Sequence, residues 1–300
     1  RAGRMLNQLY GGDGKVFFAN SGAEANECAI KLARKYKQDK YEIITFENSF
    51  HGRTLATLTA TAQTKVQEGF HPLPEGFKYA KLNDLQSVKD LVTDKTAAVM
   101  LELVQGESGV NLADKDFVKA LAAYCKDKGL LLIIDEIQTG VGRTGKMFAY
   151  EYFSIKPDVI TLAKALGAGL PLGAVIVNDQ HKDIFTYGSH GSTFGGNIVS
   201  CSAAIAGLAQ LTEDQLSYIT EIGGYFMDQL KALNKFKEVR GMGLMIAAEL
   251  DHELPDLAQK ALEAGFVINV VQNKIVRFLP AYFITKSDID KVIEFLDSVL

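Results

Sequence analysis

Six short apolar runs divide the first two thirds of the chain: Val16 to Ala19, Glu42 to Phe46, Ala97 to Val104, Leu130 to Ile134, Val159 to Ala163 and Ala174 to Val177. Their length and near-continuous hydrophobicity predict strands buried on both faces. Amphipathic segments lie between them. The clearest, Ala23 to Lys37, puts Ala25, Cys28, Ala29, Leu32, Ala33 and Tyr36 on one helical face, and Phe117 to Lys128 repeats the pattern. This alternation predicts an α/β fold with a mostly parallel sheet. After about Leu211 the texture changes. A long helix from Glu213 to Phe236 is followed by an apolar stretch, Val239 to Leu250, a further helix, and short strands near Val267 to Val271 and Ile275 to Leu279. A terminal helix over Ser287 to Leu300 carries an apolar stripe from Ile289 to Leu300. The expected division is a large domain, 1–211, and a smaller α+β domain, 212–300.

Composition narrows the function. The 300 residues are 47% hydrophobic and 23% charged, which suits a globular chain, and no apolar stretch reaches the ~18 residues of a membrane span. Thirty-two basic against thirty-six acidic side chains, with no basic run, leave no electrostatic footprint for nucleic acid. Small molecules are the expected partners. Cys28, Cys125 and Cys201 are odd in number and widely spaced, which suggests reduced thiols in the cytoplasm rather than disulfides or a metal site. The first residues, with Met5, Leu6 and Leu9 in helical spacing and no initiator methionine, read as the tail of a helix already under way.

Two motifs suggest nucleotides and fail on mechanics. Gly140-Val-Gly-Arg-Thr-Gly-Lys146 resembles a phosphate loop, but Met147 stands where a magnesium-binding hydroxyl belongs. Leu132-Ile-Ile-Asp-Glu136 resembles a hydrolase acidic strand end, yet it is the strand that feeds the loop, whereas hydrolases bring lysine and carboxylate together from neighbouring strands. An ATPase therefore stays a remote alternative.

In parallel sheets ligands bind beyond the carboxyl ends of the strands, and the residues there form a better constellation. Ser21-Gly-Ala-Glu24 is a capping box that opens a helix directly after a strand, so Ser21, Gly22 and Ala23 offer backbone N–H groups to a phosphate. Taken alone, a plain helix cap explains it as well. Asp135 ends the run Leu130 to Ile134, where a buried carboxylate suits a pyridinium nitrogen or a structural hydrogen bond. Lys164 follows Val159 to Ala163 and precedes the small residues Ala165 to Gly169; a desolvated lysine there is a carbonyl nucleophile, a solvated one merely a surface charge. A phosphate cradle, an acid for a ring nitrogen and an amine for an aldehyde match the three handles of pyridoxal 5'-phosphate.

The motifs Asn20-Ser-Gly-Ala-Glu-Ala-Asn26, Ser49-Phe-His-Gly-Arg-Thr54, Gln105-Gly-Glu107, Asp135-Glu-Ile-Gln-Thr-Gly-Val-Gly-Arg-Thr-Gly145, Leu162-Ala-Lys-Ala-Leu-Gly167 and Gly191-Ser-Thr-Phe-Gly-Gly-Asn197 resemble, in order and spacing, the class III, fold-type I aminotransferases. Within the class, Phe50 to Arg53 and Gln67 to Pro74 most resemble the acetylornithine aminotransferases of arginine biosynthesis. The resemblance implies pyridoxal phosphate as cofactor, an amino donor and a 2-oxo acid acceptor as substrates, and a homodimer. It assigns Lys164 to the cofactor aldehyde and to proton transfer, and Asp135 to the ring nitrogen. Gly22, Ala23 and the capping Ser21 go to the phosphate, Phe50 to the ring face, and Gln138 to the ring's hydroxyl side and the substrate, with Ile137 also among the cofactor-binding residues. Ser192 and Thr193 are assigned to the phosphate of the neighbouring subunit. For Phe50 a core aromatic, and for Thr193 a helix cap ahead of Gly195 to Leu211, are the plain alternatives.

Acidic substrates need guanidinium groups, and of seven arginines three invite attention. Arg34 falls on the polar side of its helix, Arg53 follows Phe50, and Arg277 sits inside the apolar Ile275-Val-Arg-Phe-Leu279, where an unpaired charge is costly. The family pattern gives Arg53 the remote carboxylate of the substrate and Arg277 the α-carboxylate of glutamate, with Glu107 pairing with Arg277 in turn. Family members also carry a segment preceding the region where this chain begins, part of which completes the small lobe and the substrate entrance. Ornithine, succinylornithine or 4-aminobutyrate as donor, and a catalytically silent relative, are the alternatives within the same resemblance.

Overall fold

The computed structural model describes residues 1–12 and 14–300. The chain separates into two compact units, 1–103 with 113–141 and 148–211, and 104–112 with 142–147 and 212–300. A cut at residue 211 therefore misses two segments, 104–112 and 142–147, that cluster with the C-terminal residues through contacts distant in sequence.

The first unit is built on seven strands: β1 (Lys15–Ala19), β2 (Glu42–Phe46), β3 (Phe77–Ala80), β4 (Thr96–Leu101), β5 (Leu131–Asp135), β6 (Val159–Leu162) and β7 (Gly173–Val177). Their order is β1-β7-β6-β5-β4-β2-β3. The run from β3 to β6 is parallel, and β7 lies antiparallel to both β6 and β1. Every residue of β4, β5, β6 and β7 is buried, as expected of strands covered on both faces. Helix Gly22–Tyr36 lays Ala25, Cys28, Ala29, Leu32 and Ala33 against Ile43, Ala98, Met100, Leu131, Ile133 and Val175. Side chains alternate along a strand, so Phe46, three residues on from Ile43, points to the opposite face and meets Phe117 of helix Lys115–Lys128 edge-on at 5.9 Å.

One expectation is corrected here, and two elements are added. The run Ala97 to Val104 is not one strand: β4 ends at Leu101, and Val104–Gln105 pairs instead with Asn111–Leu112. Hydrophobicity continues past the strand end because Leu103 and Val104 are fully buried without joining the sheet. Strand β3 was not anticipated; it is a four-residue edge strand, mostly half-exposed, with β2 as its one neighbour. The aromatic run after Met147 forms a short 3-10 turn, Ala149–Phe153, so no α-helix follows Gly145 to receive a nucleotide phosphate.

The second unit carries an antiparallel sheet of β8 (Glu238–Met242), β9 (Met245–Glu249), β10 (Asn269–Val271) and β11 (Ile275–Phe278), ordered β8-β9-β11-β10. Helices Glu213–Ala232, Leu257–Glu263 and Lys286–Val299 accompany it. The first of these stops four residues short of the expected Phe236, and Asn234 takes a left-handed conformation, φ 53°, just beyond it. Val104, Val110, Met245, Ala247 and Ile275 form one of its apolar clusters. Among the described residues no helix is long and apolar enough to cross a membrane.

Candidate active site

The carboxyl ends of β1, β2, β4, β5 and β6 carry, in order, Ser21, Phe50 with His51, Glu102, Asp135 and Lys164. Parallel strands place these ends at one edge of the sheet, so residues far apart in sequence meet there.

The helix start after β1 leaves two backbone N–H groups without an intrahelical acceptor. Ser21 Oγ accepts from Glu24 N–H at 3.2 Å, and the Glu24 carboxylate reaches back to Asn20 N–H at 2.6 Å and to Asn20 Nδ2 at 2.9 Å. The box thus closes one residue earlier than the pattern predicts, because the Asn20 side chain supplies a second donor. The N–H groups of Gly22 and Ala23 stand ahead of the first intrahelical acceptor. Two glycines permit the arrangement. A Cβ on Gly22 would lie 3.0 Å from Ile137, and one on Gly173 only 2.3 Å from the Ser21 carbonyl oxygen. Ser192 joins this cluster, accepting from Asn20 Nδ2 at 3.1 Å and from Gly195 N–H at 3.0 Å. A cavity of about 350 Å³ is bounded here by Asn20, Glu24, His190, Ser192, Thr193 and neighbours. Thr193 is exposed and caps no helix; the helix following it is Ile198–Gln210, capped by Asn197, which accepts from Ser200 N–H at 2.9 Å.

Asp135 is 4% exposed. Its Oδ2 accepts from His51 Nδ1 at 2.7 Å and from Asn26 Nδ2 at 2.8 Å, and its Oδ1 accepts from Ile137 N–H at 3.0 Å. An ionised carboxylate offers about four acceptor positions, so one remains, on Oδ1. His51 and Asn26 were not singled out from the sequence, although Asn26 carried a signal. It stands three, four and seven residues before Ala29, Ile30 and Ala33, a polar group on a buried helical face. Thr161, in register with Asp135 across β5 and β6, has a buried Oγ1 with no partner.

Glu102 is also buried, with Oε2 accepting from Phe50 N–H at 2.8 Å. Burial pushes its carboxyl up to about 7, against the pull of His51 and Lys164. The folded chain then holds a proton that the unfolded chain releases at an ordinary 4.5, so this group's contribution to stability falls as pH rises from 4.5 to about 7. Glu102→Gln keeps an acceptor for Phe50 N–H and removes the titration. Relative to the parent, the variant should gain on the order of 3 kcal/mol between the two ends of that window. Denaturant melts at both pH values check this, and parallel curves for the two proteins would refute it.

Lys164 differs from the expectation of a desolvated amine: within the single chain its residue is exposed. It opens the short turn Lys164–Gly167 with φ 46°, a left-handed conformation that costs a non-glycine residue about 1–2 kcal/mol. Such strain at a long polar side chain is a mark of functional placement. Ile137 and Gln138 follow Asp135 and are half-buried. Phe50 is half-buried, with the exposed Arg53 guanidinium 5.5 Å from its ring centre. Arg34, half-buried, donates to the Glu75 carbonyl and lies over the Phe77 ring.

Within the second unit, Arg277 Nη1 donates to the Gly106 carbonyl at 2.7 Å and lies 3.0 Å from Glu107 Oε1. The arginine side chain is 11% exposed and the glutamate 37%, and Arg277 Nε is buried with no partner.

A doubly covered, mostly parallel sheet with a helix-capped anion cradle, a buried acid and a strained lysine along its carboxyl edge is the large-domain plan of a fold-type I aminotransferase. The family model for class III aminotransferases matches residues 1–300, and the chain belongs to that family. It is 50% identical to the acetylornithine aminotransferase of Methanocaldococcus jannaschii, over 99% of this chain and 77% of that protein. It is 51% identical to that of Aquifex aeolicus, over 96% of this chain and 77% of the other. The ornithine aminotransferase of Toxoplasma gondii is a structural neighbour, with a TM-score of 0.93 and 31% identity over 99% of this chain and 75% of that one.

Proposed function

We propose that the chain transfers the δ-amino group of N2-acetylornithine to 2-oxoglutarate with pyridoxal phosphate as cofactor, acting as a homodimer. The observation that carries this reading is the Asp135 carboxylate, buried and filled by three protein donors, with one acceptor position left for a ring N–H. The residues present fit the cofactor: an anion cradle at Gly22 and Ala23, an acceptor short of one donor, and an amine at Lys164. Two curated relatives at about half identity are acetylornithine aminotransferases, which supports this donor over ornithine, succinylornithine or 4-aminobutyrate.

Bound pyridoxal phosphate supplies an electron sink that stabilises negative charge developing on the amine-bearing carbon. In this reading Ser21, Gly22 and Ala23 bind the phosphate, and Phe50, Ile137 and Gln138 fix the ring plane. Asp135 keeps the ring nitrogen protonated. Lys164 Nζ would hold the cofactor aldehyde in the resting enzyme and, once displaced by the donor amine, would carry the proton moved during amino transfer. Ser192 and Thr193 reach the phosphate of the second subunit, which covers the Lys164 left exposed in one chain. Arg53 binds the remote carboxylate and Arg277 the α-carboxylate of glutamate.

Glu107 explains how one site takes two donors. Arg277 is pinned by the Gly106 carbonyl, whereas its acidic partner is more than a third exposed. Paired, the arginine is neutralised and N-acetylornithine is admitted; with Glu107 turned away, it binds glutamate. Glu107→Ala should slow the N-acetylornithine half-reaction about tenfold or more relative to the glutamate half-reaction. Stopped-flow measurement of both half-reactions gives the ratio, and an unaltered ratio removes the switch. The function itself is tested by supplying each of the four donors with 2-oxoglutarate and measuring glutamate formed. N-acetylornithine should give the highest kcat/KM, and a higher value for any other donor overturns the assignment.

A further inference from the structure

Arg240 and Arg277 lie in one row across the sheet of the second unit. Ala247 of β9 is in register with Arg240 of β8 on one side and with Arg277 of β11 on the other, so the three side chains leave the same face. Over that face lies the hairpin of Val104–Gln105 with Asn111–Leu112, whose Val104, together with the neighbouring Val110, packs with Met245, Ala247 and Ile275. The loop it encloses is Gly106-Glu107-Ser108-Gly109-Val110. Each arginine takes one shoulder of this loop. Arg277 Nη1 donates to the Gly106 carbonyl at 2.7 Å. Arg240 donates from Nε to the Gly109 carbonyl at 3.1 Å and to the Val110 carbonyl at 3.2 Å, and from Nη2 to the Gly109 carbonyl at 2.8 Å. Glu107 stands between the two shoulders, 3.0 Å from Arg277 Nη1.

The shoulder held by Arg240 is strained. Val110 is fully buried at φ 58°, a left-handed backbone that a β-branched residue rarely takes, and Gly109 beside it has φ 117°. Such a conformation persists where the surroundings hold it in place. The Arg240 side chain is 13% exposed, and its Nη1 donates to Glu238 Oε2 at 2.8 Å and to Glu249 Oε2 at 2.9 Å, which turns Nε and Nη2 toward the loop. Glu249 does not depend on Arg240 for a counter-charge, because Lys274 and Lys237 lie 3.3 Å and 3.6 Å from its Oε1. We propose that Arg240 is a positioning residue for donor specificity: it fixes the Gly109–Val110 shoulder and so sets where Glu107 meets Arg277. This inference rests on the Glu107–Arg277 switch given above.

The test measures, by stopped flow, the ratio of the N-acetylornithine half-reaction rate to the glutamate half-reaction rate in the parent, Arg240→Met, Glu107→Ala and the double variant. Methionine keeps an unbranched stem and removes the donors. Arg240→Met should lower the ratio about fivefold or more, with the glutamate half-reaction within about threefold of the parent, because a loosened shoulder pairs Glu107 with Arg277 less often. In the Glu107→Ala background the same substitution should change the ratio by less than about twofold, since Arg240 acts through Glu107. A parent-like ratio in Arg240→Met, equal slowing of both half-reactions, or the same drop in both backgrounds would overturn the proposal. An unaltered ratio in Glu107→Ala would instead overturn the switch beneath it, and the two failures are thus distinct. Should Arg240→Met not fold, Arg240→Lys decides: it keeps a positive charge beside Glu238 and Glu249 but lacks the fork that reaches both carbonyls. Its ratio should fall about threefold or more, and a parent-like value would overturn the proposal.

Discussion

Lys164→Ala should lower the turnover of N-acetylornithine with 2-oxoglutarate by at least about 10⁴-fold while leaving the fold intact. In the proposed reaction one amine holds the cofactor and then moves a proton between the two carbons that flank the transferred nitrogen, and Lys164 is the amine that follows β6. Stability should barely change. The side chain is exposed, and alanine inherits the same left-handed backbone strain at φ 46° that lysine already bears. Steady-state glutamate formation gives the first number and thermal melting the second. Turnover within about tenfold of the parent would refute the assignment of Lys164 as the proton carrier.

Asp135→Asn should reduce the rate of the amino-donor half-reaction by roughly 10³-fold or more, since in the proposed reading this carboxylate is what keeps the cofactor ring nitrogen protonated. It should also destabilise the chain. Whichever way the amide turns, its NH2 group meets a donor: His51 Nδ1–H and Asn26 Nδ2–H on one side, Ile137 N–H on the other. Donor facing donor in a site 4% exposed costs about 1–3 kcal/mol. Single-turnover kinetics and a denaturant melt test the two parts. A half-reaction within tenfold of the parent would show that Asp135 is a structural acceptor alone.

Much of this was legible along the chain. The strands at Glu42 to Phe46 and Val159 to Ala163 emerge because a strand covered on both faces needs an unbroken apolar run, and that requirement is local. The helix after Ser21 was legible for the same reason, since a cap and an apolar face are properties of neighbouring residues. The places of Asp135 and Lys164 just past such runs were legible in the same way. Edge strand β3 was missed because a strand with one neighbour and half-exposed faces needs no apolar run. The missing reach of Val104 was lost because burial in a loop and burial in a sheet look alike in sequence.

Which donors complete the Asp135 carboxylate was decided by the tertiary structure alone. His51 lies 84 residues from it and Asn26 109 residues, and each reaches it only because the sheet order β1-β7-β6-β5-β4-β2-β3 brings the ends of distant strands and the start of one helix to a single edge. The pairing of Glu107 with Arg277 likewise depends on a loop and a strand remote in sequence. Local pattern states what each segment must bury. It does not state which segment it will lie beside, because that choice is made by the packing of whole faces, where many distant residues contribute at once and none carries the partner's address.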